Sequence, residues 1–156
     1  ETALDRAMER YLPRIQDDAG AFKYNPDRPS GRASLTGAAL LGMQMWNATK
    51  TDTFAKGFDY LVGKTKNPSP GGDFYAPYYN TQVFFLAEGG AWENYNRIFQ
   101  PRLLDALNED GSWVNDYNPL EDHQIMNTAW AILMLEVYYR YLPTTDKVDG
   151  LETANG

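Results

Sequence analysis

Three times along the chain, a turn in which a glycine is followed two residues later by a large aromatic comes ahead of a threonine. Each time, a helix-forming run then opens near a threonine and carries little charge. The pairs are Gly20 with Phe22, Gly72 with Phe74 and Gly111 with Trp113, and the threonines are Thr36, Thr81 and Thr128. The threonines stand 45 and 47 residues apart, from 36 to 81 and from 81 to 128. A period of that length, built from helix, turn and helix, means stacked helical hairpins, none of which can bury its apolar face alone. The last copy, Asn108 to Leu142, is the plainest. It opens with Asn108-Glu109-Asp110-Gly111-Ser112-Trp113 and closes with the apolar run Asn127-Thr128-Ala129-Trp130-Ala131-Ile132-Leu133-Met134-Leu135. A helix that is hydrophobic on every side has to be enclosed by other structure.

Six helices are expected. The first covers residues 2 to 14, with Thr2 as cap and Pro13 in its last turn. Leu4, Ala7/Met8, Tyr11/Leu12 and Ile15 form its apolar stripe. After the Asp17-Asp18-Ala19-Gly20 turn, Phe22 and Tyr24 alternate as a short strand would. The second helix takes Ser34 as N-cap and carries Leu35, Ala38/Ala39, Gly42/Met43 and Trp46. Its glycines, Gly37 and Gly42, suit close packing of another helix. The third is capped at Thr51 or Asp52 and buries Phe54, Phe58, Leu61 and Val62. The fourth spans 78 to 87 and ends at Gly89-Gly90. The fifth spans about 91 to 107, where Pro101 predicts a kink or a restart. The sixth spans about 125 to 141. The first, third and fifth are amphipathic, whereas the second, fourth and sixth are poor in charge. The economical arrangement is therefore all-α and two-layered, an α/α toroid-like array of three helical hairpins with charged helices outside. One repeat domain, 1–143, is expected, with repeats at about 1–50, 51–90 and 91–143. Residues 144–156 form a polar C-terminal tail.

The net charge is -7, so the chain lacks the basic footprint of a nucleic-acid binder. There is no cysteine, which removes disulfides, thiolate nucleophiles and Cys-ligated zinc together. Cysteine usage leaves the compartment open, an extracytoplasmic setting included. The longest apolar run has seven residues, Ala129 to Leu135, whereas a membrane span needs about 20. The chain opens at Glu1 inside a helix pattern and reads as a mature, trimmed or excised piece.

The run Gln16-x-x-x-Gly20-Ala21-Phe22 resembles the QW motif of squalene and oxidosqualene cyclases, and Asp110-Gly111-Ser112-Trp113 resembles the end of the same motif. Pro68 and Leu107 stand where the second and third glutamines would be. The resemblance covers about residues 3 to 142 and extends to prenyltransferase/squalene-oxidase repeats, which form α/α toroids. It implies that Gln16 ties its turn to a neighbouring helix end. It also implies about twice as many helices for a full ring. Part of a longer chain, a homodimer meeting through open ends and a small closed barrel are the three ways to reconcile that with six helices.

The chemistry of those families is not reproduced. The cyclases' Asp-x-Asp-Asp acid motif does not occur; Asp17-Asp18 reads as turn chemistry and Glu121-Asp122 as solvated loop. Prenyltransferase zinc is held by Asp, Cys and His, so this cysteine-free chain with one histidine cannot build that site. No cofactor or metal is expected. The candidate ligand-binding residues are Arg32, Tyr75, Tyr78, Tyr79, His123 and Trp130. The aromatics, with Trp46 and Tyr138, fall on or beside inner helices, where they either fill the core or line a cavity. Arg32 precedes the second helix and either meets an anionic ligand with that helix's N-terminus or makes a surface ion pair. His123 either caps a helix from its loop or faces the cavity. The best expectation is a non-catalytic binding or interaction module whose ligand is apolar or aromatic-compatible and sits at the inner-helix N-termini. An enzyme acting on an isoprenoid or a glycan, and a purely structural domain of a larger protein, are the alternatives.

Overall fold

A computed structural model describes residues 2–68, 74–114 and 121–140, the side chains of residues 121, 122 and 140 aside. The described chain is all-helical. Helix α1 begins as Ala3–Arg6, passes through a π-helical turn, Ala7–Tyr11, and ends as Leu12–Ile15. It is followed by α2 (Ala33–Met45), α3 (Asp52–Lys64), α4 (Tyr75–Ala87), α5 (Gly89–Asp105) and α6 (Glu121–Leu135). A final turn, Val137–Arg140, continues α6. The turn at Gly72 and the tail 144–156 lie outside the described residues.

The helices form two layers because their faces differ. Charge-poor α2, α4 and α6 pack side by side, α2 on α4 and α4 on α6. Amphipathic α3 lies on α2, and α5 on α4. Between the layers sits one core that includes Phe22, Leu40, Leu61, Phe84, Phe99, Leu103 and Met134. Burying each large apolar side chain there contributes roughly 1.5–3 kcal/mol before entropy is counted.

Local chemistry sets the helix starts. Thr2 makes a capping box with Asp5, and Thr51 Oγ1 accepts from Phe54 N–H at 3.1 Å. Pro13 sits in the last turn of α1, where it lacks the N–H an α-helix would use, and the π turn directly precedes that segment. Several expected boundaries move. Helix α2 starts at Ala33 with Arg32 as an N-cap whose side chain makes no capping bond, so Ser34 lies inside the first turn. The cause is upstream: Arg32 N–H donates to Phe22 O at 3.0 Å, and Gly31 N–H to Asp17 Oδ2 at 2.8 Å. These bonds fix the chain before the helix can begin. Helix α4 opens three residues early, at Tyr75, and α6 four residues early, at Glu121. Helix α5 starts at Gly89, directly after Glu88 at φ 56°, and runs through Pro101 as one element. Val62, expected on the buried face of α3, is exposed, while Gly57 is buried. The short strand reduces to one isolated bridge between Gln16 and Phe22.

The repeat is visible bond by bond. Gly20 and Gly111 both hold positive φ, 94° and 83°. In the first turn, Gly20 N–H donates to Asp17 O and Asp17 N–H to Ala21 O; in the last, Gly111 N–H donates to Asn108 O and Asn108 N–H to Ser112 O. The aromatic that follows donates its N–H to the threonine of the inner helix. Phe22 N–H reaches Thr36 Oγ1 at 3.0 Å, and Trp113 N–H reaches Thr128 Oγ1 at 3.0 Å. The threonine thus satisfies a backbone donor that burial would otherwise leave unpaired. In the middle copy, Thr81 Oγ1 instead lies 3.1 Å from the Tyr95 hydroxyl.

Candidate ligand-binding site

The turns leave a cleft of about 530 Å³ at the end of the array where α2 and α4 begin. Its walls carry Tyr24, Arg28, Pro29, Ser30, Arg32, Ser34, Leu35 and Tyr75. The loop 25–32 supplies one wall and is itself tied down: Asp27 N–H donates to Asn25 Oδ1, and Lys23 Nζ to Pro26 O. The opposite wall is the first turn of α2 with Tyr75, the first residue of α4.

Two guanidiniums and a helix N-terminus therefore face one space. The first N–H groups of a helix have no intrahelical partner, and the aligned peptide dipoles make that end positive. Arg32 adds no side-chain cap to the start of α2. Arginine's planar fork suits a carboxylate, phosphate or sulfonate. The rings of Tyr24 and Tyr75, both exposed, supply apolar surface beside that charge. Among the described residues, no carboxylate lines the cleft.

Behind Tyr75, four aromatics form one group. Tyr78 and Trp130 have ring centroids 4.6 Å apart, Tyr75 and Tyr79 4.8 Å, Tyr78 and Tyr79 5.1 Å, and Tyr75 and Trp130 5.9 Å. Tyr78 and Trp130 are tilted at 49°, and the other three pairs are edge-to-face, a geometry that contributes about 0.5–1.5 kcal/mol per pair beyond the area buried. They join α4 to α6, so these rings serve the packing of inner helices, with Tyr75 shared between that packing and the cleft. Tyr78 and Tyr79 lie in the first turns of α4 rather than at its opening residue. Burial raises the Tyr79 phenol above its ordinary value, and its hydrogen bond to Tyr75 adds to the rise.

The structure thus brings Arg32 and Tyr75 together in the cleft and places Tyr78, Tyr79 and Trp130 behind it. His123 sits half-buried in the first turn of α6 and is not part of the cleft wall. Two further aromatics stand apart from the group. The Trp46 indole donates to Asp5 Oδ1 at 3.1 Å on α1, and Tyr138 bonds Asn96 Oδ1 beside Trp92. Tyr24, Arg28 and Ser34 were missed as cleft residues. The available signal was a loop with two arginines leading into a charge-poor helix.

The turn behind the cleft is braced from the side. Gln16 Nε2 donates to Gly20 O at 3.0 Å and to Thr53 O, at the start of α3, at 2.8 Å. No group of His, Cys, Asp and Glu suited to a metal ion occurs among the described residues, and none of their helices is long and apolar enough to cross a membrane. Comparison with known protein families, with characterised proteins and with solved structures finds no match.

Proposed function

We propose that this chain is a non-catalytic binding module of the squalene cyclase/prenyltransferase-like repeat type, a terpenoid cyclase-like array. Its ligand is a small organic anion with a flat apolar body. One observation carries the binding reading: Arg28, Arg32 and the uncapped start of α2 share a cleft with the rings of Tyr24 and Tyr75. The anionic group lies on the guanidiniums and first-turn N–H groups, and the apolar body lies on the two rings. Support for the repeat type comes from the Gln16 brace and from the turn geometry shared at Gly20 and Gly111.

Titration calorimetry with 2-naphthoate and its neutral counterpart 2-naphthalenemethanol tests the ligand class. The carboxylate is expected to bind, and the alcohol about tenfold more weakly or not at all. Arg32→Ala is expected to weaken naphthoate by a similar factor while leaving the helical circular dichroism unchanged, because Arg32 is exposed. Equal binding of acid and alcohol, or no effect of Arg32→Ala and Arg28→Ala together, would show that the cleft does not select anions.

A further inference from the structure

A second pocket, of about 410 Å³, lies at the other end of the inner helices, where α2 and α4 stop. The thirteen-residue length of α2, about 20 Å, separates it from the arginine cleft. Three helices build it from the middle of the array. Met45 ends α2, Leu86 and Ala87 end α4, and Phe54 and Phe58 stand on α3. Each inner helix is stopped by a residue at φ 56°, Asn47 beyond α2 and Glu88 beyond α4. Asparagine takes that conformation readily, and glutamate does so less often. The turn after α2 is tied down: Asn47 N–H donates to Gln44 O, Ala48 N–H to Met43 O, and Thr51 Oγ1 to Ala48 O. The pocket therefore has fixed walls.

Its lining is apolar and neutral. Phe54 and Phe58 stack with centroids 5.9 Å apart, are half-buried and pack against the core. Among the described residues, no charged side chain belongs to the wall. One polar group stands out in that setting. Gln44 Nε2 donates to Val83 O at 3.1 Å. That bond fixes the amide, since turning it over would set Oε1 against a carbonyl oxygen. Gln44 Oε1 is thus held as an acceptor, shut off from bulk water, and no donor among the described residues meets it. Buried polar atoms are nearly always paired. An acceptor kept unpaired beside an apolar pocket favours a guest that brings a donor.

We propose that this pocket binds a small neutral aromatic molecule carrying one hydrogen-bond donor, the chemistry of an indole or a phenol. Its ring lies against Phe54, Phe58 and Leu86, and its N–H or O–H donates to Gln44 Oε1. Met45, exposed and with a flexible side chain, moves aside to admit it. A space of this size holds one or two fused rings. Anions find no cation here, so the two ends of α2 take different guests. The proposal rests on the pocket and on Gln44, and it is independent of the ligand reading for the cleft.

A 15N–1H NMR titration of the full chain with indole tests it, with benzofuran as a ring of the same shape that lacks the donor. Indole is expected to give saturable shifts on the amides of Met45, Thr49, Phe58 and Ala87 and on the Gln44 side-chain amide. Benzofuran is expected at the same place, about fivefold more weakly or beyond that. Gln44→Met keeps the length of the side chain and removes the acceptor, so it should level the two rings. The comparison on the native chain stands whether or not that variant folds. No saturable shift with indole, or equal binding of both rings by the native chain, would overturn the proposal. So would an indole preference that survives in Gln44→Met. Shifts confined to the start of α2 would place the ring in the arginine cleft and overturn it as well.

Discussion

Thr36 and Gln16 are small contributors by mass, and much of the turn depends on them. The Thr36 hydroxyl accepts from Phe22 N–H and donates to Arg32 O at 2.8 Å, joining the turn to the start of α2. Thr36→Val keeps the shape but leaves a buried N–H without an acceptor. It is expected to cost about 1–3 kcal/mol in urea unfolding, and Thr36→Ser should recover most of that. If Thr36→Val unfolds at the wild-type midpoint, the hydroxyl is not the turn's anchor. Gln16→Leu, which copies Leu107, removes two bonds of about 1 kcal/mol each. It should lower stability by about 2 kcal/mol, measured in the same way. Gly20 answers to geometry: at φ 94° a Cβ would lie 2.3 Å from Lys56 O. Gly20→Ala should therefore cost more than the ~1 kcal/mol typical of a glycine at positive φ. The glycine, the aromatic and the threonine were legible in the sequence because they recur. Their hydrogen bonds were not, because sequence spacing does not reveal which atom of a neighbouring turn lies within reach.

At the scale of the element, the alternation of charged and charge-poor helices is what the sequence shows best, since it reflects which faces meet water. The starts of helices were read less well. Ser34 was a reasonable cap by residue type, yet Gly31 and Arg32 are held by Asp17 and Phe22 before the helix begins. That displacement leaves the α2 N-terminus without a side-chain cap beside the cleft, so the misplaced boundary is also the one that borders the candidate site. The inner helices are joined by aromatics where small residues do not suffice. Trp130 meets Tyr75, Tyr78 and Tyr79 across the α4–α6 contact. Trp130→Ala is expected to cost about 3–5 kcal/mol. Calorimetric melting would measure it, and a loss under 1 kcal/mol would mean that α6 docks mainly through other contacts. The aromatic set was legible as a cluster, but its division between packing and cleft was not, since Tyr75 alone of the four lines the cleft.

For the whole molecule, the buried phenols set a limit at high pH. Tyr95 is enclosed, and burial pushes its phenol far above its ordinary value, with the hydrogen bond to the Thr81 hydroxyl acting in the other direction. Burial raises Tyr138 as well. A phenol whose folded pKa lies above the unfolded value of about 10 keeps its proton in the native state after the unfolded chain has released it. Stability is then complete below about pH 10 and falls above it, by up to about 1.4 kcal/mol per pH unit for the enclosed Tyr95 and by less for the half-buried Tyr138. Urea midpoints from pH 8 to 11 should show that decline, and Tyr95→Phe should flatten it. A flat profile in the native sequence would contradict the enclosure of Tyr95. The layered, all-helical architecture was legible because apolar periodicity and the repeat pointed to the same answer. The cleft was only half legible: Arg32 and Tyr75 could be named, while Tyr24, Arg28 and Ser34 are joined to them only by the folding of the loop 25–32. Binding of an organic anion at that cleft is tested most directly by a 15N–1H NMR titration of the chain with 2-naphthoate. The expected result is saturable shifts concentrated on the amides of Arg28, Arg32, Ser34, Leu35 and Tyr75, which disappear in Arg32→Ala. Shifts spread over the surface, or centred away from the start of α2, would contradict it.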